Sequence, residues 1–224
     1  MTLFKRFHLA LDFVGNFWYN EKNGKKGSSM KLYDISQEIF TCAVYPGDPA
    51  PVREVLASLE AGDVCNLTAF SMCAHNGTHI DAPAHFIAGG KTVDALPLDA
   101  LIGKAIVISH AGDITASDAH RMLEMAGNIK KLLIKGNATL TLEAAEVLAT
   151  AGLDLFGNES QTVGPETAPM AVHLALLGAN VVLLEGIRLS HVPDGTYLLH
   201  AAPINLGSAD GAPCRATLTE LPIQ

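Results

Sequence analysis

Cysteine is scarce and unpaired in pattern. The four at positions 42, 65, 73 and 214 form no Cys-x-x-Cys pair and no dense framework, which excludes a disulfide scaffold and reads as reduced thiols of a cytoplasmic protein. Positive charge is also short: 15 Lys and Arg stand against 23 Asp and Glu, for a net charge of −8. Nucleic acid is excluded as a partner, because neutralising phosphates takes a surplus of basic side chains. No apolar run reaches the ~18 residues that a membrane-spanning helix requires, so no membrane is expected. Charged residues make up 17% of the chain, below the usual ~25%. A surface so poor in charge suggests an oligomer that hides part of it. What is abundant is apolar side chain, 49% of 224 residues, enough for a chain of this length to bury ~70% of its unfolded surface without a covalent staple.

Residues 1–29 differ from the rest. They hold five Lys and Arg, two acids and six of the thirteen aromatics, among them Phe13, Phe17, Trp18 and Tyr19. His8 and Asp12 interrupt the apolar stretch that a signal peptide would need. The run from Asn23 to Ser29 is a polar linker, so residues 1–29 are read as an N-terminal extension or arm and residues 30–224 as a single domain.

Within that domain the pattern changes near residue 104. Before it, strands and turns are expected: a short strand over Lys31–Ile35, turn chemistry at Tyr45-Pro46-Gly47-Asp48, and a strand within Asn66–Ala74. After it, helix and strand alternate. Strands are predicted at Ala105–Ser109, Lys131–Ile134, Val181–Leu184 and Tyr197–Ile204. Helices are predicted at Ser117–Ala126, opened by the Thr115-x-x-Asp118 capping box, at Leu142–Ala151, capped by Thr141, and at Pro169–Leu177, with Gly178 as a left-handed cap. Such alternation implies parallel crossover units beside an antiparallel layer. Gly157–Gln161 is read as a solvated loop, and Asp154, Glu166 and Asp194 as ordinary turn or surface acids.

The chemistry concentrates between His75 and His85, where three of nine histidines and Asp81 fall within eleven residues. Gly77, Thr78, Ile80 and Pro83 argue against a helix interior. A turn at Asn76-Gly77 followed by an extended segment fits better. Such a segment sends His79 and Asp81 to one side and Thr78, Ile80 and Ala82 to the other, and Gly77 lets the chain fold back so that His75 joins the first pair. Two imidazoles and a carboxylate converging on one point form a shell for a divalent metal. His85, six residues beyond His79, reads either as a further ligand or as a free imidazole suited to proton transfer.

The run His-x-Gly-Thr-His-x-Asp-Ala-Pro-x-His over 75–85 resembles the signature of the cyclase family of metal-dependent hydrolases, which includes kynurenine formamidases and isatin hydrolases. The likeness extends over roughly residues 31–220, through Asp34-Ile35-Ser36, the Tyr45-Pro46-Gly47-Asp48 turn and Asp210-Gly211-Ala212-Pro213-x-Arg215. The resemblance implies a swivelling β/β/α fold: a mixed or parallel sheet plus an antiparallel layer, with helices on one side. It implies His75, His79 and Asp81 as ligands of one metal, with Asp81 bridging to a second held by His173 and Glu185. His85 matches the family's catalytic histidine. Tyr45 stands where formamidases carry a tryptophan that packs on the substrate, and so is expected to bind substrate.

The expectation that follows is a hydrolase of a carbon–nitrogen bond in a small-molecule amide, N-formyl compound or lactam, using a metal-activated water. Its cofactor would be Zn²⁺ or Mn²⁺, one or two per subunit, in a homodimer or homotetramer. The alternatives are a non-catalytic metal-bearing binding protein of the same fold, or an isatin-hydrolase-like or lactone-specific member.

Overall fold

The structure, a computed structural model, describes residues 30–221; the expectation for residues 1–29 lies outside these. The chain opens with the short strand β1 (Leu32–Asp34) and then a β-hairpin, β2 (Val52–Ala57) and β3 (Leu67–Ser71). The motif strand β4 (His79–Asp81) follows, then helix α1 (Leu98–Leu101) and the long strand β5 (Ile102–Ser109). Two crossover units come next, through β6 (Gly112–Ile114), α2 (Ala116–Ala126), β7 (Lys131–Lys135), β8 (Ala138–Leu140), α3 (Leu142–Thr150) and β9 (Leu155–Asn158). A third leads through α4 (Met170–Gly178) to β10 (Val182–Glu185), and β11 (Gly195–His200), β12 (Gly211–Pro213) and β13 (Thr217–Glu220) complete the chain.

Nine of these strands form one mixed sheet in the order β1-β13-β11-β5-β7-β9-β10-β4-β12. Its centre, β5-β7-β9-β10, is parallel, and its flanks are antiparallel. The central strands alternate strictly. Ile106, Ile108, Leu132, Ile134, Phe156 and Leu183 enter a core with the buried faces of α2, α3 and α4, whereas Val107, Leu133, Leu155, Val182 and Leu184 enter a second core on the opposite face. The three longer helices cover the first face, and residues 93–101, including α1, pack in the second core, so the central sheet is buried on both faces.

Local chemistry sets the ends of these elements. Thr115 and Asp118 make the reciprocal capping box of α2, and the Thr141 hydroxyl accepts from Ala144 N at the start of α3. Two expected boundaries move. Helix α4 runs through Gly178, and the left-handed residue is Asn180 (φ 62°), because the Asn180 and Val181 amides bond back to Leu177 and Leu176. The strand expected over Tyr197–Ile204 stops at His200, since Ala201 N turns away to Leu101 O and Pro203 has no N–H to extend a ladder. Strand β13, which no run of residues had suggested, pairs with both β1 and β11 and brings the two ends of the described chain together.

Phe156 is the largest fully buried side chain and stands under the helices. Phe156→Ala should leave the fold intact but lower stability by ~3–5 kcal/mol in chemical denaturation, against less than ~1 kcal/mol if that layer were loosely packed.

Candidate metal centre

The motif strand is inserted between β10 and β12, antiparallel to both, with Asp81 opposite Leu183 and Gly211 and His79 opposite Glu185 and Pro213. Gly77 takes φ +67°, a conformation that L side chains resist, and this turn folds His75 back over the strand. Ile80 and Ala82 enter the apolar core, while His79 and Asp81, both buried, emerge on the other side. Thr78 anchors the turn, its hydroxyl donating to Gly186 O and accepting from Gln37 N.

All five residues expected to hold metal meet there. His75 Nδ1 lies 2.8 Å from Asp81 Oδ1, and His79 Nε2 lies 3.3 Å from the same oxygen and 3.4 Å from Glu185 Oε2. His173 Nε2 lies 3.1 Å from Glu185 Oε1 and 3.6 Å from Asp81 Oδ2. The two oxygens of Asp81 thus face different imidazoles, His75 and His79 on one side and His173 on the other. Helix α4 carries His173 to this point because its crossover returns directly into β10, whose last residue is Glu185.

The two most buried rings are oriented alike. His79 Nδ1 donates to Gly77 O at 3.1 Å and His173 Nδ1 to Pro169 O at 2.9 Å. Each ring therefore turns Nε2 toward the carboxylates, the arrangement by which backbone carbonyls fix metal-ligating histidines. The group fits a divalent cation by a direct test: His79 Nε2 and Asp81 Oδ2 are buried without a hydrogen-bond partner, a costly state for polar atoms. The ring atoms and carboxylate oxygens also lie within coordinating reach of one another, as His75–His79–Asp81 and as Asp81–His173–Glu185.

The electrostatics express the same demand for positive charge. Burial opposes charging of His79 and His173, but the adjoining Asp81 and Glu185 carboxylates outweigh it and push both up to about 10. Burial works against the Asp81 carboxylate too, yet its contacts with His173, His75 and His79 hold it well below the usual range.

A cavity of about 220 Å³ opens over this cluster, lined by Tyr45, Asp48, Phe86, Gln161, Thr162 and Pro169 together with His75, His79, His85, His173 and Glu185. The Tyr45 hydroxyl donates to Glu166 O at 2.6 Å. His85 packs on His75, ring centroids 4.0 Å apart, and edge-on against Phe86. One acid escaped sequence reasoning. Asp210 Oδ2 lies 3.0 Å from His75 Nε2 and 3.1 Å from His85 Nδ1, yet it stands 125 residues beyond His85; the Asp-Gly-Ala-Pro run was its only signal. The segment 157–161 is also not the solvated loop expected. Asn158 is buried, and Glu159 accepts from the Gly136 and Leu189 amides. Asp194 holds Ser109 and Lys135.

Comparison with known proteins gives a consistent picture. The family model for Cyclase ("Putative cyclase") matches residues 33–165. The kynurenine formamidase of Salinibacter ruber is 32% identical over 210 residues, covering 86% of this chain and 99% of that protein. A solved structure described as a potential metal-dependent hydrolase with cyclase activity superposes with a TM-score of 0.74 at 28% identity, covering 87% of this chain and all of the other. Isatin hydrolase A from Labrenzia aggregata shares the fold, with a TM-score of 0.73 at 22% identity over 85% of this chain and 93% of its own.

The raised values of His79 and His173 predict how the metal-free protein responds to pH. A group raised in the folded state contributes stability that is complete below its unfolded value of 6.5 and is lost as pH climbs toward about 10. The denaturation midpoint of chelator-treated protein should therefore fall across that interval. Saturating zinc should abolish or reverse the trend, since the ion then takes the place of the protons. A flat profile without metal would contradict rings turned toward the carboxylates.

Proposed function

The chain belongs to the cyclase family of metal-dependent hydrolases, and from that premise we propose that it hydrolyses the carbon–nitrogen bond of a small-molecule amide, N-formyl compound or lactam. The similarity to a kynurenine formamidase supports this reaction class. The observation that carries the reading is the buried group of Asp81 and Glu185 beside oriented imidazoles, with His79 Nε2 and Asp81 Oδ2 unpartnered and His79, His173 and Glu185 lining an open cavity.

His75, His79, Asp81, His173 and Glu185 are the metal ligands in this reading. Donors that are all nitrogen and oxygen suit Zn²⁺ or Mn²⁺, and the two-sided placement of Asp81 suits a pair of ions. A bound divalent ion supplies Lewis acidity toward a carbonyl and a water of lowered pKa. The chain's own residues do the rest. His85 hands a proton to the departing nitrogen, Tyr45 and Phe86 grip the apolar part of the substrate, and the buried walls limit access of bulk water. Residues 30–224 act as one domain, a division supported by the pairing of β1 with β13 in a single sheet. Among the described residues no helix is long and apolar enough to cross a membrane. The four thiols, none of them in a disulfide, suit the cytoplasm.

Variants separate the roles. His79→Ala should lose metal and activity together. His85→Ala should keep its metal and lose turnover by ~10²–10⁴-fold, the usual worth of general acid–base catalysis, with the greatest loss on substrates with poor amine leaving groups. Metal analysis and rates on N-formyl anilines, lactams and lactones provide the readout. Metal loss in His85→Ala would make His85 a ligand. Metal-loaded protein inert on the whole panel would favour a binding protein, and lactones alone would favour the lactone-specific alternative.

The same reading includes a homodimer or homotetramer. The β2–β3 hairpin is a separate two-stranded sheet, a unit with little stability of its own in water. It nevertheless exposes Val52, Val55, Leu56, Leu67 and Phe70, with Val64 98% accessible at the turn. A second copy covering this arm would bury what a monomer leaves wet. Analytical ultracentrifugation should give a dimer or larger species, and Val55→Glu with Phe70→Glu should shift it toward monomer. A wild-type monomer at micromolar concentration would overturn this part of the reading.

A further inference from the structure

Asp210 has a place at the site but no role in the chemistry described so far. Its backbone carbonyl accepts from Ala82 N at 2.9 Å, and the next residue, Gly211, pairs with Asp81 across β12 and β4. Gly211 is the floor beneath the His75 ring: a Cβ there would stand 2.5 Å from His75 Cε1, so only glycine allows this approach. The result is an Asp-Gly pair fixed by the sheet, with the ring of His75 lying on the glycine and the carboxylate at the ring's edge.

From that edge one oxygen, Oδ2, reaches two rings. It lies 3.0 Å from His75 Nε2 and 3.1 Å from His85 Nδ1, and the two rings stack with centroids 4.0 Å apart at 29°. An ionised carboxylate only accepts hydrogen bonds, so each of those nitrogens must carry its hydrogen. We propose that Asp210 is a positioning residue that sets two tautomers at once: His75 keeps its proton on Nε2 and offers Nδ1 to the metal, and His85 keeps its proton on Nδ1 and leaves Nε2 free on the substrate side, to take the proton given up by the attacking water and pass it to the departing nitrogen. His75 Nδ1 is the atom 2.8 Å from Asp81 Oδ1, a contact that carries a proton until a divalent ion displaces it, and His85 lines the cavity. The inference deepens the reading of His85 as proton donor and of His75 as ligand, and rests on it. Asp210 thereby ties the metal shell to the acid, since a displaced carboxylate releases both rings.

Long-range ¹H–¹⁵N correlation of the histidine rings in the zinc-loaded protein tests this without reference to any substrate. In the wild type, His85 should be the Nδ1–H tautomer and His75 should be bound through Nδ1 with Nε2 protonated. In Asp210→Asn, His85 should become a mixture of tautomers, zinc content should be retained, and kcat should fall ~10–100-fold with a smaller change in KM, as for other groups that orient ligands and acids from behind. A wild-type His85 protonated on Nε2 overturns the proposal whether or not the variant folds. So does a variant with unaltered tautomers and kcat, or one that loses a full equivalent of zinc, which would make Asp210 itself a ligand. Failure of the hydrolase reading would look different: wild-type protein inert on every substrate, with its ring tautomers still those set by Asp210.

Discussion

Asp81 and Glu185 place two carboxylates almost wholly out of water, against the ends of strands that are themselves buried. Negative charge in such a place is tolerable only if positive charge answers it. His75, His79 and His173 surround the pair, but two of these rings are tied through Nδ1 to backbone carbonyls and turn bare Nε2 atoms inward. Neutral imidazoles so held cannot balance the acids. Either the rings take protons, which is why His79 and His173 are pushed up to about 10, or a divalent cation takes their place. Folding of this region is thus linked to whatever cation it holds.

The sheet accommodates this constraint by placing a three-residue antiparallel strand beside the last parallel one. Strand β4 takes its register from both β10 and β12, so His79, Asp81 and Glu185 are held by main-chain ladders. Helix α4 closes the set through the short connection from Gly178 to Val182 at the start of β10. The apolar half of the same motif, Ile80 and Ala82, lies in a core continuous with Leu184 and Ala212. One strand therefore serves both packing and chemistry, by the two-residue period of its side chains.

Away from this centre the surface is uneven. The described body is closely packed, whereas the β2–β3 hairpin exposes apolar residues along both strands. Tyr45 and Asp48, which line the cavity, lie in the segment just before that hairpin. A partner seated on the hairpin would therefore sit beside the cavity mouth, which links assembly to access.

Much of the centre was legible in the chain. The short spacing of His75, Gly77, His79 and Asp81 dictates its own geometry, because a glycine turn and a strand of period two leave few ways to arrange four alternate positions. Capping boxes and β-branched runs were legible for the same reason: they act within a few residues. Longer-range features were not. His173 and Glu185 were joined to the motif by resemblance, and their contact depends on a crossover that sequence patterns only suggest. Asn158 and Glu159 looked like solvated polar residues, but tertiary packing buries Asn158 and gives Glu159 two amide partners. Strand β13 has no strong pattern and exists because β1 and β11 each offer it an edge. Asp210 carries no local mark of its role, since its partners lie 125 and 135 residues away. The sequence by itself determined the turn, the strand and the convergence of the candidate metal-binding side chains of the motif, because those interactions are local. The contact of that motif with His173, Glu185 and Asp210 was decided by tertiary structure, since the register of β4 between β10 and β12 and the crossover through α4 bring those residues within hydrogen-bonding distance.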